Sequence, residues 1–259
     1  MSNFVSRRSS PLMVLLISLA GLTIPCPPLL ADAARDVQAE TILRRADAIR
    51  FPQTGFTTNV TITTRTTAGN DQIFKYRILS QGNDKTLVIT TDPPTDRGQI
   101  MLMSGRDLWV YMPSISQPIR LPLSQRLTGQ VANGDLARAN FAGDYTPKIL
   151  RSEAIGDQNY YVLELTAVDH SVTYHRVLYW VNRQDLRPYK AEFYTLSGHL
   201  IKSCVYQDFI PMAGKVRPAR LVMTDAMHNQ EQSILEYDNL RVGELPDKYF
   251  TKDYLKKLQ

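Results

Sequence analysis

The residues of this chain whose types could do chemistry are few: four histidines, His170, His175, His199 and His228, and a thiol at Cys204. His170 and His175 stand five apart, an odd offset that puts them on opposite faces of extended chain. That is poor geometry for sharing a metal ion, and no metal or cofactor site is expected. Asp169-His170-Ser171 contains the residue types of a hydrolytic triad, but adjacent side chains cannot relay a proton as a triad requires. No G-x-S-x-G elbow, H-E-x-x-H pair or phosphate-binding loop occurs. Cys204 lies inside the strand-like run HLIKSCVYQDF and reads as a small buried side chain rather than a nucleophile. These residues point to a protein that binds rather than catalyses, with a hydrolase as the weakest alternative for want of a motif.

Other side chains suit binding. Met101, Met103, Met112, Met223 and Met227 fall within or at the ends of apparent strands. Their flexible thioethers adapt to irregular apolar shapes, whether an acyl chain or a gap in a core. Trp109 and Trp180 can pack a cavity or a core in the same way. Arg97, Arg106, Arg120 and Arg126 flank one hairpin and the segment after it, where they could meet a phosphate or carboxylate or simply be solvated. The formal net charge of +5 comes from 30 Lys and Arg against 25 Asp and Glu, spread along the 259 residues. Such a spread favours solubility and weak attraction to anionic membrane surfaces, and speaks against nucleic acid as a partner.

The elements that must position these residues begin after an expected leader. Arg7 and Arg8, an apolar run from Leu12 to Ile24, and Ala31-Asp32-Ala33 have the order of a secretory signal peptide cut after Ala33. The alternative is a lipid anchor on Cys26, which the flanking Pro25 and Pro27 fit poorly. Either leaves residues 34–259 as one domain with Cys204 as its one thiol, so no internal disulfide is expected. Within it, DVQAETILRRADAIR predicts a helix over 36–50, capped by Asp36, striped by Val37, Ile42, Leu43, Ala46 and Ile49, and stopped by Phe51-Pro52. Strand patterns then follow one another to residue 242, with turns at 68–71 and 81–84 and a tight hairpin at Gly105-Arg106-Asp107. Lys252 to Leu258 reads as a short closing helix. Several strands are apolar on both faces. In NYYVLELTAV, Tyr161, Leu163, Leu165 and Ala167 oppose Tyr160 and Val162, and in the next strand Leu178 and Trp180 oppose Val177, Tyr179 and Val181. Such a sheet is covered on both sides, or it curves around something apolar.

One stretch breaks the pattern: LSQRLTGQVANGDLARANFAGDYTP, 123–147. Ser124 and Asp135 can each cap a short helix, and Gly134 and Gly143 can end them, which predicts a broken helical hairpin. Leu127, Val131, Leu136, Ala139 and Phe141 are few and small, so the expectation is a surface segment held by modest burial, either a movable cover or an inert crossover.

RGQIMLMSGRDLWVYMP followed by LTGQVANGDLARANFAGDY resembles the LolA-like family of outer membrane lipoprotein-sorting proteins, and the likeness runs over residues 34–259. The resemblance implies a mainly β fold with few helices: an incomplete antiparallel β-barrel around an apolar cavity, covered by a helical lid at 123–147. It implies a periplasmic carrier that shields the acyl chains of a lipoprotein or lipid, with a non-carrier adaptor subunit of an envelope complex as the alternative. The expected cavity and lid residues are Met101, Met103, Trp109, Tyr111, Leu127, Val131, Leu136, Phe141, Leu163, Leu165, Leu178 and Trp180, with Arg97, Arg120 and Arg126 at the mouth. Expected partners are acylated cargo, an inner-membrane transporter and an outer-membrane acceptor, met by a monomer in transient contact with membrane. The chain departs from the carrier in one respect. Where the carrier has an arginine-proline pair, KYRILSQGNDKT has none, and that role is not carried onto Arg77, so the cargo stays open between a lipoprotein and another acylated molecule.

Overall fold

The computed structural model describes Met1 and residues 28–255 apart from 66–68, 70, 83, 116 and 228–230. The leader segment with Cys26, the turn residues Ala68, Asn70 and Asn83, His228, and the last part of the expected closing helix lie outside the described residues.

Helix α1 (Pro28–Arg50) begins before Asp36, so Asp36 is not its cap. It buries Ala39, Ile42, Leu43, Ala46, Asp47 and Arg50. Val37, expected on that stripe, is exposed, because it stands two residues before Ala39 and so about 200° round the helix. Ile49 is half-buried. The buried face therefore carries an acid and a base among its apolar residues.

Thirteen strands form one antiparallel sheet. The first half runs outward through β1 (Gly55–Arg65), β2 (Gln72–Gln81), β3 (Lys85–Asp92), β4 (Ile100–Ser104), β5 (Asp107–Tyr111) and β6 (Ile119–Leu121). A small separate ribbon, β7 (Arg126–Thr128) with β8 (Val131–Ala132), and helix α2 (Asn133–Ala137) come next. The second half is β9 (Tyr145–Ile155), β10 (Gln158–Ala167), β11 (Arg176–Asn182), β12 (Pro188–Tyr194), β13 (Leu200–Met212), β14 (Lys215–Asp225) and β15 (Gln232–Val242). β15 pairs with β1 and joins the halves, and β6 and β9 remain as open edges. The sheet is thus a barrel left unclosed. The expected hairpin at Gly105-Arg106 is present, with Ser104 opposite Asp107 and Gly105 at φ +62°, a backbone that suits the two-residue turn.

Both faces of the sheet are covered. On the inner face Val60, Ile62, Tyr76, Ile78, Val88, Met101, Met103, Leu163, Leu165, Val177 and Tyr179 share one core with α1 and with the 123–147 segment. On the outer face of the first half, Leu87, Ile100, Leu102 and Tyr111 pack under a 3-10 turn (Asp247–Phe250) and α3 (Lys252–Leu255), which supply Phe250 and Leu255. A third cluster, Tyr160, Val162 and Trp180 with Leu178 and Tyr189, occupies the outer face of the second half. Lys190 and Arg151 lie over the Trp180 ring at 4.0 and 6.0 Å from its centroid, so their stems shield it from water.

The 123–147 segment differs from its sequence expectation in two ways. Its first helix is the β7–β8 ribbon, and its second is the five-residue α2, where Asp135 stands inside the helix and accepts the Ala132 N–H at 2.8 Å. Gly129, at φ +50°, explains the ribbon, since an added Cβ would lie 2.2 Å from Thr64 Oγ1 and 2.3 Å from Ser233 Oγ. The turn is pressed against the sheet, and the next N–H, that of Gln130, donates to Ser233 Oγ at 2.9 Å. Second, burial is deep rather than modest: Val131, Ala132, Leu136, Ala137 and Phe141 are all buried, with Leu127 packed partly against the same core. α2 reaches β3 and β4 of the first half, while α1 packs on β9, β12 and β14 of the second. The segment is a lid that fills the mouth and the interior of the open barrel.

Candidate functional site: a filled concavity under a tied lid

Among the described residues, the inner face holds two small, partly open cavities. The first, about 20 Å³, lies among Phe51, Phe56, Ile78, Leu136, Ala137 and Tyr237. The second, also about 20 Å³, lies among Arg50, Asn140, Tyr174, Phe193, Cys204 and Tyr206. Each has room for about one water, and pockets that hold small-molecule ligands run to about 300–1,000 Å³. Ala139 and Asn140 of the lid border both cavities, so the strip after α2 is the partition between them. A wider groove of about 510 Å³ between α1 and β9–β10 is lined by Arg35, Asp36, Glu40, Lys148 and Glu164, a charged lining unsuited to an acyl chain.

Three carboxylates tie the lid down. Asp47 of α1 accepts the N–H groups of Phe141 and Ala142 at 2.8 and 2.7 Å and pairs with Arg50 at 3.3 Å. Burial pushes its carboxyl up to about 6 despite the neighbouring guanidinium and the two N–H donors, which pull it down. Arg50 in turn lies over the rings of Phe141 and Tyr206, 4.5 and 5.3 Å from their centroids. Asp135 of α2 accepts from Lys202 Nζ at 2.7 Å and from the Tyr174 hydroxyl at 2.8 Å. Lys202, from β13, also donates to the Gln130 carbonyl. Asp144 receives Arg106 at 2.9 Å and Arg138, which itself donates to the Gly105 carbonyl at 2.8 Å. These bonds fasten the lid to α1, to β13 and to the β4–β5 hairpin.

Of the residues expected from sequence, Met101, Met103, Val131, Leu136, Phe141, Leu163 and Leu165 come together in the inner core, with Leu127 beside them. Trp109 and Tyr111 do not join them. They lie on the outer face under the C-terminal turn, with Lys252 Nζ 3.1 Å from the centre of the Trp109 ring. Leu178 and Trp180 belong to the third, outer cluster. The structure also separates the arginines. Arg97 donates to the Thr91 carbonyl before β4, Arg120 pairs with Asp107 after β4, and Arg126 is exposed on β7. His170 and His175 are exposed, and His199 Nδ1 contacts Ser197 Oγ at 2.8 Å on a surface turn. Asp169 engages Ser171 and Arg106 without His170 between them. Burial pushes the Cys204 thiol up to about 12, so it stays protonated and unreactive near neutral pH.

With this geometry in place the comparisons have a definite meaning. A family described as "Uncharacterized protein" matches residues 82–257. A LolA superfamily protein from Nitrosomonas europaea is 56% identical, with a TM-score of 0.81 over 83% of this chain and 98% of that one. The chain belongs to the LolA superfamily. Its fold is shared at lower identity by a putative outer membrane lipoprotein-sorting protein domain from Vibrio parahaemolyticus, 22% identical with a TM-score of 0.72 over 85% of this chain and 99% of that one. A DUF1329 family protein from Desulfovibrio piger has the same fold, at 19% identity and a TM-score of 0.74 over 85% and 99% of the two chains. No curated protein matches. Among the described residues, no helix is long and apolar enough to cross a membrane.

In this LolA-superfamily chain the tying groups are those that sequence reasoning passed over. A signal for them exists. Asp47 and Arg50 fall in phase with Ala39, Leu43 and Ala46, and a charged residue on an apolar stripe must find a partner. Lys202 alternates in phase with the buried Cys204 and Tyr206 along β13, which places its stem inward.

Proposed function

We propose that this protein is a periplasmic carrier that holds acyl chains against the inner face of its open sheet, performs no covalent chemistry, and opens by lifting the 123–147 lid. The observation that carries this reading is the partition: the lid strip that supplies Leu136, Ala139, Asn140 and Phe141 divides one concavity into two small cavities. Withdrawing the strip would join them into a trough lined by the inner core. The closed lid is held by charge-assisted bonds of about 1.5–3 kcal/mol each and by the buried side chains of Val131, Leu136 and Phe141. A bound acyl chain would take over that apolar surface, at about 0.8 kcal/mol for each methylene it buries. Cargo and lid would therefore compete for the same surface, and a donor or acceptor could shift the balance. On this reading the partners are an acylated lipid or lipoprotein, an inner-membrane transporter that loads it and an outer-membrane acceptor that receives it. The carrier itself acts as a monomer in passing contact with membrane.

The small free volume equally favours a second reading, an adaptor subunit whose interior is filled for good. A covalent staple separates the two. An added Cβ at Gly134 would lie 3.0 Å from Thr173 Cβ, closer than the disulfide range of about 3.5–4.5 Å, so the backbone of α2 or of the turn that carries Thr173 must move apart by at least about 0.5 Å for the bond to form. The Gly134→Cys/Thr173→Cys protein should take up a fluorescent fatty-acyl probe when reduced and exclude it when oxidised. Native mass spectrometry of detergent-free protein from a bacterial envelope should find a bound acylated species. Failure to bind the probe in the reduced form, with no co-purifying lipid, would leave the adaptor.

A further inference from the structure

The lid tie at Asp135 has a chemical asymmetry. Lys202 is buried, and an ammonium has three donors. They go to the Asp135 carboxylate at 2.7 Å, to the Gln130 carbonyl, and to the Met223 sulfur at 3.7 Å. Both oxygen acceptors belong to the lid, whereas Lys202, Tyr174 and Met223 belong to the sheet and its connections. Lifting the lid takes both oxygens away together. Among the described residues, the contacts that Nζ keeps are the thioether and the rings of Tyr174 and Phe193, at 5.0 and 5.4 Å. Asp225 stands opposite Lys202 across the β13–β14 pair, with its Oδ1 accepting the Met227 N–H at 2.6 Å. The Tyr174 hydroxyl, buried and donating to the same Asp135 carboxylate, loses its acceptor in the same step. An ammonium and a hydroxyl at the end of an apolar trough are costly to leave unpaired, and an anion restores both bonds.

We propose that in the closed protein Asp135 occupies the place of a ligand's anionic head group, so that the cargo is an acyl amphiphile bearing a carboxylate or phosphate that Lys202 and Tyr174 receive when the lid lifts. The inference rests on the carrier reading and adds the chemical class of the cargo. α2 then imitates the ligand: its carboxylate stands for the head, and Leu136 and Phe141 stand for the chain. The same two sheet residues serve lid and cargo, which makes their binding mutually exclusive.

Three fluorescent probes of equal chain length test this: a fatty acid, its methyl ester and a lysophosphatidate. The native protein should bind the two anions at least about tenfold more tightly than the ester, the difference a charge-assisted bond makes. Asp135→Asn weakens the competing tie and should raise the affinity for all three while keeping their ratio. Adding Lys202→Met to Asp135→Asn leaves no unpaired buried charge at that site, so the fold should survive, as thermal melting can verify. In this double variant the ratio should fall to near one while the ester still binds. An ester bound as tightly as the acid, or a ratio that survives Lys202→Met, would overturn the head-group assignment and leave the carrier reading standing. Binding of no probe by any form would overturn both. Tighter binding of the lysophosphatidate than of the fatty acid would identify a phosphate head, and the reverse a carboxylate, each in keeping with the proposal.

Discussion

Asp47 makes the closed state depend on pH. Its folded value of about 6 stands above the ordinary 3.8, so the folded protein holds this proton more tightly than the unfolded chain does. The stability it contributes is fully present below about pH 4 and is lost as pH rises through 6, on the order of 3 kcal/mol over that window. Asp47→Asn keeps an oxygen for the Phe141 and Ala142 N–H groups and removes the titration. Urea unfolding at pH 4.5 and 7.5 should therefore show native stability falling, relative to Asp47→Asn, as pH rises. An unchanged difference between the two proteins would mean that Asp47 is not desolvated as described. Asp47→Ala is the harsher change, because it strands the buried Arg50 and two lid N–H groups. It should cost about 3–5 kcal/mol, measured in the same urea experiment at neutral pH.

At the scale of elements the decisive piece is the β7–β8 ribbon, whose turn lies so close to β1 and β15 that Gly129 has no space for a side chain. Gly129→Ala adds a methyl against Thr64 and Ser233 at a positive φ and should destabilise the closed lid by about 1–3 kcal/mol. Hydrogen exchange should then quicken across 126–137 while β10 and β11 keep their protection; uniform loosening would show that lid and sheet open as one unit. The long strands and their succession along the chain were legible in the sequence because alternation and turn residues are local signals, whereas the pairing of β15 with β1 and the short β6 were not. So was the double-sided burial of β10 and β11, since Leu163 and Leu165 alternate with Val162, and Tyr179 with Trp180. The ribbon was not legible. Caps and glycines in LTGQVANGDLA permit a helix, and what decides against one is contact with Thr64 and Ser233, far away in sequence. For the same reason Trp109 and Tyr111 could be placed on a strand, but their face is set by the C-terminal turn that covers it, as alternation assigns two faces without saying which is inside.

On the scale of the whole molecule, the sheet separates two cores that should serve different ends. The outer core of Leu87, Ile100, Leu102 and Tyr111 is sealed by Phe250 and Leu255 and exchanges nothing with the lid. The inner core is shared with the lid through Val131, Leu136 and Phe141 and, on the carrier reading proposed above, would have to be remade each time the lid lifts. Stability and binding should therefore separate by face. Phe250→Ala removes a buried ring from the outer core and should cost about 3–5 kcal/mol in urea unfolding, with acyl-probe affinity unchanged wherever the protein is folded. Phe141→Ala removes a ring of similar burial from the lid, where it meets Tyr145 at 5.6 Å and Tyr179 at 5.2 Å between centroids. Its stability cost should be of the same order, but on the carrier reading the closed state competes with cargo, so probe affinity should rise, by at least about tenfold if half of that loss falls on lid closure. Should Phe250→Ala change affinity as much as Phe141→Ala does, the two faces would be coupled through the sheet, and lid opening would be a deformation of the whole barrel rather than the departure of one segment.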